Sequence, residues 1–348
     1  MTGAVVPTPR TAGFAMPAEW GPHDRTLMAW PSRPELWGPH LTAAARDYAE
    51  IARVIAHFEP VTMLAGDSEL AAATAACGST VDVLRMPADD SWVRDSGPVG
   101  VVRRSDGARA GVDFAFNGWG EKYRPYANDA ALASRVLHRL GIEAYVAPIV
   151  LEGGSITVDG AGRLITTAQC LLHPTRNPHL DAAAIARVLE DYLGATEVIW
   201  LPTGLVEDLD TDGHVDNIAA FAPGGRVVAQ TTSDTANPNH ARLAENVRLL
   251  RYAKLDVVTI DHLPYAELDG TPLVVPYLNY YVVNGAVIVP TTGTDPGADR
   301  AAFEVIGSAY PGREVVGVPG TVLAYGGGGV HCITQQIPAT AVSASASA

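Results

Sequence analysis

The sequence predicts an α/β fold in which one unit, strand–turn–strand–helix–strand, is repeated five times at intervals of roughly sixty residues. Three observations carry this. Short β-branched runs come in pairs separated by Gly, Asp, Asn or Pro turn residues; each pair is followed by a segment of helical period; and that string recurs along the chain. Repeated sheet-bearing units often stack or arrange radially, and with five of them a closed ring is the natural reading. An open α/β sheet carrying hairpin insertions would leave a similar string.

The first unit is partial. It has a strand from Thr26 to Trp30, a helix from Thr42 to Phe58 with Tyr48, Ile51, Ile55 and Phe58 at three-and-four spacing, and a strand from Val61 to Leu64. The second has Val99 to Val102, the turn Ser105-Asp106-Gly107, Val112 to Phe116, a helix from Asp129 to Leu140 and a strand from Ala144 to Val146. The third is the clearest: Ser155 to Val158, the turn Asp159-Gly160-Ala161-Gly162, Leu164 to Thr167, a helix from Asp181 to Leu193 and the strand Glu197 to Leu201. The fourth has Asn217 to Phe221, Ala222-Pro223-Gly224-Gly225, Val227 to Gln230, a helix from Asn239 to Lys254 and Asp256 to Ile260. The fifth pairs Leu278 to Val283 with Ala286 to Val289 through the hairpin signal Asn284-Gly285, then adds a helix from Ala298 to Tyr310 and Glu314 to Val318.

Composition narrows the class. The chain is 348 residues long, 47% hydrophobic and 18% charged, which is globular rather than disordered, and long enough for two domains or one symmetric closed fold. No apolar run approaches the ~18 residues of a membrane helix. Pro7, Pro9 and Arg10 stand where a signal peptide would be apolar, so a cytoplasmic protein is expected. The net charge of -14 argues against nucleic acid and suits a cationic small molecule, although a solvated acidic surface is the commoner reason for such a charge. Three cysteines do not make a disulfide framework, and without CxxC or HExxH spacing no metal site is expected. Cys77, in an alanine-rich run, and Cys170, after a strand, read as packed thiols.

Cys332 is different. It closes the run Tyr325-Gly326-Gly327-Gly328-Gly329-Val330-His331-Cys332, and four glycines imply close approach to the backbone, with a substrate the expected visitor. Trp92-Val93-Arg94-Asp95, Glu152-Gly153-Gly154 and His214-Val215-Asp216 each stand just before the first strand of a unit. Equivalent positions of a radial array face its axis, so Asp95, Glu152 and His214 should meet there, with Cys332 joining as the chain closes the ring. A thiol beside a histidine is a nucleophile–base pair. Three carboxylates around the same point, Asp95, Glu152 and Asp216, would repel an oxyanion but could clasp a planar guanidinium. Arg94 reads as structural, since a second cation would repel that substrate.

Together, Met16 to His23, Asp89 to Pro98, Glu152 to Ser155, Asp212 to Asn217 and Gly329 to Gln336 resemble the agmatine deiminase family, from about Gly13 to Pro338. The resemblance implies a five-bladed, pseudo-symmetric α/β propeller (the pentein fold) and one catalytic domain over 1–338. The Ser/Ala-rich 339–348 segment is expected to be a disordered tail. The implied reaction is hydrolysis of agmatine to N-carbamoylputrescine and ammonia without cofactor or metal, with deimination of another guanidine or amidino transfer as the alternatives. Carried over, Cys332 is the nucleophile, His214 the acid/base, Asp95 and Asp216 the guanidinium clasp and Glu152 the group that orients His214. Trp92 and Gly329 are expected at the substrate. The approach Glu207, Asp208, Asp210, Asp212 offers only acids, and Asp210 is expected to select the substrate's terminal amine. A homodimer would be unsurprising for the family. The role of Asn279, at the corresponding place in the last unit, is open.

Overall fold

A computed structural model describes residues 7–340. The strands are β1 (Phe14–Ala15), β2 (His23–Ala29), β3 (Val61–Ala65), β4 (Asp82–Arg85), β5 (Val99–Arg103), β6 (Arg109–Ala115), β7 (Glu143–Val150), β8 (Ile156–Val158), β9 (Arg163–Thr167), β10 (Glu197–Leu201), β11 (Ala219–Ala222), β12 (Arg226–Gln230), β13 (Asp256–Ile260), β14 (Tyr265–Leu268), β15 (Thr271–Val274), β16 (Tyr281–Val283), β17 (Ala286–Thr291), β18 (Glu314–Pro319) and β19 (Gln335–Pro338). They form five sheets of one pattern and a separate β14–β15 hairpin. In each sheet the first strand runs antiparallel to the second, and the second parallel to the third: β5-β6-β7, β8-β9-β10, β11-β12-β13 and β16-β17-β18. The fifth sheet completes the partial first unit. Its opening strand is β19, from the far end of the chain, antiparallel to β2, followed by β3 and β4.

The parallel second and third strands need a crossover, and helices supply it. Helix Ala182–Leu193 shows why these segments are helical. The Asp181 side chain accepts the Ala184 amide at 2.7 Å as N-cap, Gly194 ends the helix at φ 73°, and Ile185, Leu189 and Leu193 form one buried stripe. Helix Leu41–Ile55 buries Ala44, Tyr48, Ile51, Ala52 and Ile55 in the same way, each large side chain contributing about 1.5–3 kcal/mol. The apolar residues fall into five clusters, each built around one helix, and four of them join strands of two neighbouring sheets.

The differences from expectation are local. The second unit's helix begins at Leu132 because Ala127–Ala130 forms a separate turn, and β7 extends to Val150 where Ala144 to Val146 was expected. The β14–β15 hairpin was missed although its signal is present. Asp269-Gly270 adopts φ 51° and 79°, the left-handed pair a two-residue hairpin turn demands. Cys77 lies buried at the end of helix Leu70–Cys77, as expected. Residues 341–348 of the expected disordered tail lie outside the described residues. Among the described residues no helix is long and apolar enough to cross a membrane.

Candidate active site

Each sheet is entered by a short lead-in, and the five lead-ins touch in cyclic order. The Arg94 amide donates to the Cys332 carbonyl at 3.2 Å. The Gly154 amide donates to Asp95 Oδ1 at 2.9 Å, and Asn279 Nδ2 donates to Asn217 Oδ1 at 3.0 Å. The Cys332 amide then donates to Asn279 Oδ1 at 3.4 Å, closing the circle. Gly154 is what lets the third and fourth lead-ins meet. A Cβ there would stand 2.6 Å from His214 Nδ1, 2.8 Å from Asp216 Oδ2 and 3.0 Å from Asp95 Oδ1. The structure thus brings Asp95, Glu152, His214, Asp216 and Cys332 together at the ring's centre, all buried.

The charges are set by burial against neighbours. Asp95 Oδ2 accepts the Trp119 indole N–H at 2.9 Å, and His214 Nδ1 lies 3.9 Å from Asp95 Oδ1. Burial pushes the Asp95 carboxyl up and the His214 charge relieves only part of that. Burial opposes charge on His214, but Asp95, Asp216 and Glu152 overcome it and raise its pKa above the ordinary value. Both ring nitrogens of His214 lack a protein partner. Glu152 is held by a side chain that sequence reasoning missed. Arg176, with no exposed side-chain surface, donates from Nε to Glu152 Oε1 at 2.6 Å and from Nη1 to Asp212 Oδ2 at 2.8 Å. Cys170 packs behind it, Sγ 3.9 Å from Glu152 Oε2. One ligand atom each from Glu152, Cys170 and His214 lies within 4.8 Å of the others, and one Glu152 oxygen, Oε1, is already bonded to Arg176.

Asp216 is held by His331, also missed. The His331 ring faces Asp216 Oδ2 through Nδ1 at 2.9 Å and Glu19 Oε2 through Nε2 at 2.9 Å. Two carboxylates on two ring nitrogens favour an imidazolium. Burial opposes it, but the carboxylates raise the His331 pKa, and despite burial Asp216 is lowered and Glu19 falls to about 2. Asp216 Oδ1 remains without a partner, free for a cation. Cys332 Sγ lies 3.6 Å from Asp216 Oδ2; burial, then Asp216 and Asp95, push the thiol far up. An arriving guanidinium would offset those carboxylates and favour the thiolate.

The cavity over Cys332, about 330 Å³ of empty space, is walled by Leu36, Trp92, Trp119 and Tyr123 and carries Asp95 and Asp210. Tyr123 Oη donates to Asp210 Oδ1 at 2.6 Å. Trp92, Asp95, Asp210 and Cys332 thus line one cavity. Gly329 does not line it. Gly326 and Gly327 do line it, and the rest of the run admits protein side chains: a Cβ on Gly328 would stand 2.5 Å from Trp92 Cζ3, and one on Gly329 would overlap the Asn279 amide. Arg94 is structural, donating to the His331 carbonyl at 3.3 Å and Gln336 Oε1 at 2.9 Å. The acidic approach is not purely acidic, since Lys122 Nζ stands beside it. That ammonium is spent on Asp212 Oδ2 at 2.8 Å and on the Leu209 and Asp210 carbonyls.

A ring of five sheets with a thiol, an imidazole and a clasp of carboxylates at its centre is the frame of a hydrolase acting on a guanidino group. The chain belongs to the agmatine deiminase family: the model of the Porphyromonas-type peptidyl-arginine deiminases matches residues 15–338, and curated relatives agree over nearly the whole length. The agmatine deiminase of Stutzerimonas stutzeri (strain A1501) is 41% identical over 362 residues, covering 95% of this chain and 97% of the relative. The solved agmatine deiminase of Enterococcus faecalis superposes with a TM-score of 0.91 at 32% identity, covering 96% and 98% of the two chains. A cysteine-to-serine variant of the C. jejuni agmatine deiminase, solved with substrate bound, gives a TM-score of 0.87 at 25% identity over 94% and 97%.

Proposed function

We propose that the protein hydrolyses agmatine to N-carbamoylputrescine and ammonia, with residues 1–338 acting as one catalytic domain. The single observation that carries this is one cavity over Cys332 that carries the Asp95 and Asp210 carboxylates between aromatic walls. A slender chain with a guanidinium at one end and an ammonium at the other matches it. A free amino acid does not, because its carboxylate would meet Asp210 while the nearby Lys122 is already paired.

Asp95 and the free Oδ1 of Asp216 clasp the guanidinium, which offsets the charge that keeps the Cys332 thiol protonated. The Cys332 thiolate attacks the guanidinium carbon, forming a C–S bond. The imidazolium of His214 protonates one amino nitrogen, the C–N bond breaks and ammonia leaves. The amidino-cysteine that remains is attacked by water, whose proton passes to His214. Collapse expels the thiolate and yields the ureido product. Glu152, anchored by Arg176, supports the charged His214.

Cytoplasmic action, a place in putrescine formation, a homodimer and no nucleic-acid partner belong to the same reading. The family resemblance, three free cysteines and the charge of -14 support it. The test is ammonia release from agmatine, free arginine and a blocked arginine in parallel, with Cys332→Ala as control. Release from agmatine alone, lost in the variant while agmatine binding persists, is expected. Turnover by Cys332→Ala would remove the nucleophile, and release from another guanidine would replace the substrate.

A further inference from the structure

Cys170 has no part in the hydrolysis, yet it stands beside two residues that do. It sits on the short helix Ala168–Leu171, where the Thr167 hydroxyl caps its amide at 3.2 Å. Glu152 comes from the third lead-in and His214 from the fourth, and one ligand atom of each of the three lies within 4.8 Å of the others. All three are buried, His214 with 1% of its surface exposed. Its ring nevertheless leaves both nitrogens without a protein partner. Glu152 gives Oε1 to Arg176 and turns Oε2 toward the Cys170 Sγ, 3.9 Å away. A thiol, an imidazole and a carboxylate thus converge on one point, and the imidazole is unspent.

We propose that Glu152, Cys170 and His214 form an inhibitory site for a thiophilic divalent cation of the zinc type. One sulfur, one nitrogen and one oxygen are a three-ligand zinc set with a fourth position open. Bonds of about 2.0–2.3 Å in a tetrahedron put ligand atoms about 3.3–3.8 Å apart, so the three donors must draw in by up to about 1 Å. His214, whose ring no hydrogen bond holds, can turn to do so. Asp95 and Asp216 face His214 and add negative charge, offsetting the Arg176 guanidinium that shares Glu152. Magnesium and calcium, which take oxygen ligands, do not suit a thiol and a ring nitrogen. The cation displaces two protons to solvent. One is on the Cys170 sulfur, where burial and then Glu152 hold it in the free protein, and the other is on His214. His214 then has no proton for the departing ammonia, and a dication stands beside the carboxylates that clasp the guanidinium.

The inhibition rests on the proposed function through the role of His214, but the binding test needs no substrate. Cobalt(II) alone, the coloured stand-in for zinc, is titrated into the full chain carrying Cys77→Ala and Cys332→Ala, in which Cys170 is the remaining thiol. A saturable sulfur-to-cobalt charge-transfer band that zinc abolishes is expected, and a folded protein without that band overturns the proposal. Should the double variant not fold, Cys332→Ala is compared with Cys332→Ala/Cys170→Ser. The band should be present in the first and gone from the second, and an equal response in both overturns the site. In the wild-type enzyme, zinc should inhibit ammonia release from agmatine and a chelator should restore it. Cys170→Ser, having lost a ligand, should need at least about tenfold more zinc for the same inhibition. Equal zinc sensitivity in an active Cys170→Ser would put the ion on Cys332 and overturn the proposal. A Cys170-dependent band in a protein inert toward agmatine would instead remove the named substrate and keep the metal site.

Discussion

Asp210→Asn isolates the selection of the substrate's tail. The Asp210 carboxylate is half-buried at the cavity wall, and Tyr123 Oη donates to its Oδ1 at 2.6 Å. No cation pairs with it among the described residues, Lys122 being held by Asp212. The asparagine keeps an oxygen for Tyr123, so the cavity wall should stand. What is lost is the difference between a charge-assisted and a neutral hydrogen bond to an ammonium. Charged bonds contribute about 1.5–3 kcal/mol and neutral ones about half, leaving a deficit of about 0.8–1.5 kcal/mol, or up to roughly tenfold in kcat/KM. The assay compares kcat/KM for agmatine with that for n-butylguanidine, which has the same reach and no amine. Wild type should prefer agmatine. In Asp210→Asn the agmatine value should fall by up to about tenfold while n-butylguanidine is unaffected, so the preference collapses. Equal losses on both substrates would show that Asp210 shapes the cavity without reading the amine, and an unchanged agmatine value would place the amine elsewhere.

Arg176→Met should be severe, because it leaves Glu152 and Asp212 without their buried partner. A destabilisation of about 3–5 kcal/mol is expected by denaturant titration; a variant as stable as wild type would mean the ion pair is not what holds Glu152. Asp129 accepts the Asp89 and Asp90 amides at 2.8 and 3.2 Å, behind the lead-in that carries Trp92 and Asp95, and burial lifts its pKa to about 7. The folded state then holds a proton that the unfolded chain has lost above pH ~4, so this group's contribution falls as pH rises from about 4 through about 7. Asp129→Asn, which keeps the accepting oxygen, should therefore gain most thermal stability over wild type at pH 8, less at pH 5 and little at pH 4. A pH-independent difference would contradict the assigned pKa.

The five units were legible because their signals are local. Period-two and period-3.6 runs, Asp181 before a helix, Gly194 after it and Asn284-Gly285 between strands act over a few residues, whatever the distant chain does. The site's main members were legible because a pseudo-symmetric array puts equivalent positions together, so Asp95, Glu152 and His214 could be placed without knowing any contact. Asp210 was reachable for a humbler reason, being four residues from His214 on an acidic approach.

What stayed hidden depends on distance along the chain or on backbone shape. Trp119 reaches Asp95 only because residues 118–120 all adopt positive φ, a conformation its own residue type does not announce. Glu152 finds Arg176 farther along its own blade, Asp216 finds His331 and Cys332 finds Asn279 across blades, and nothing in a residue's neighbours in sequence says which buried partner will satisfy it. The tetraglycine run shows the division best. By itself the sequence determined that something must approach Gly326–Gly329, because four missing side chains have no other economical use. Only the tertiary structure decided what approaches: Trp37, Asp210, Trp92 and Asn279, delivered from four separate stretches of chain whose convergence is set by the closing of the ring.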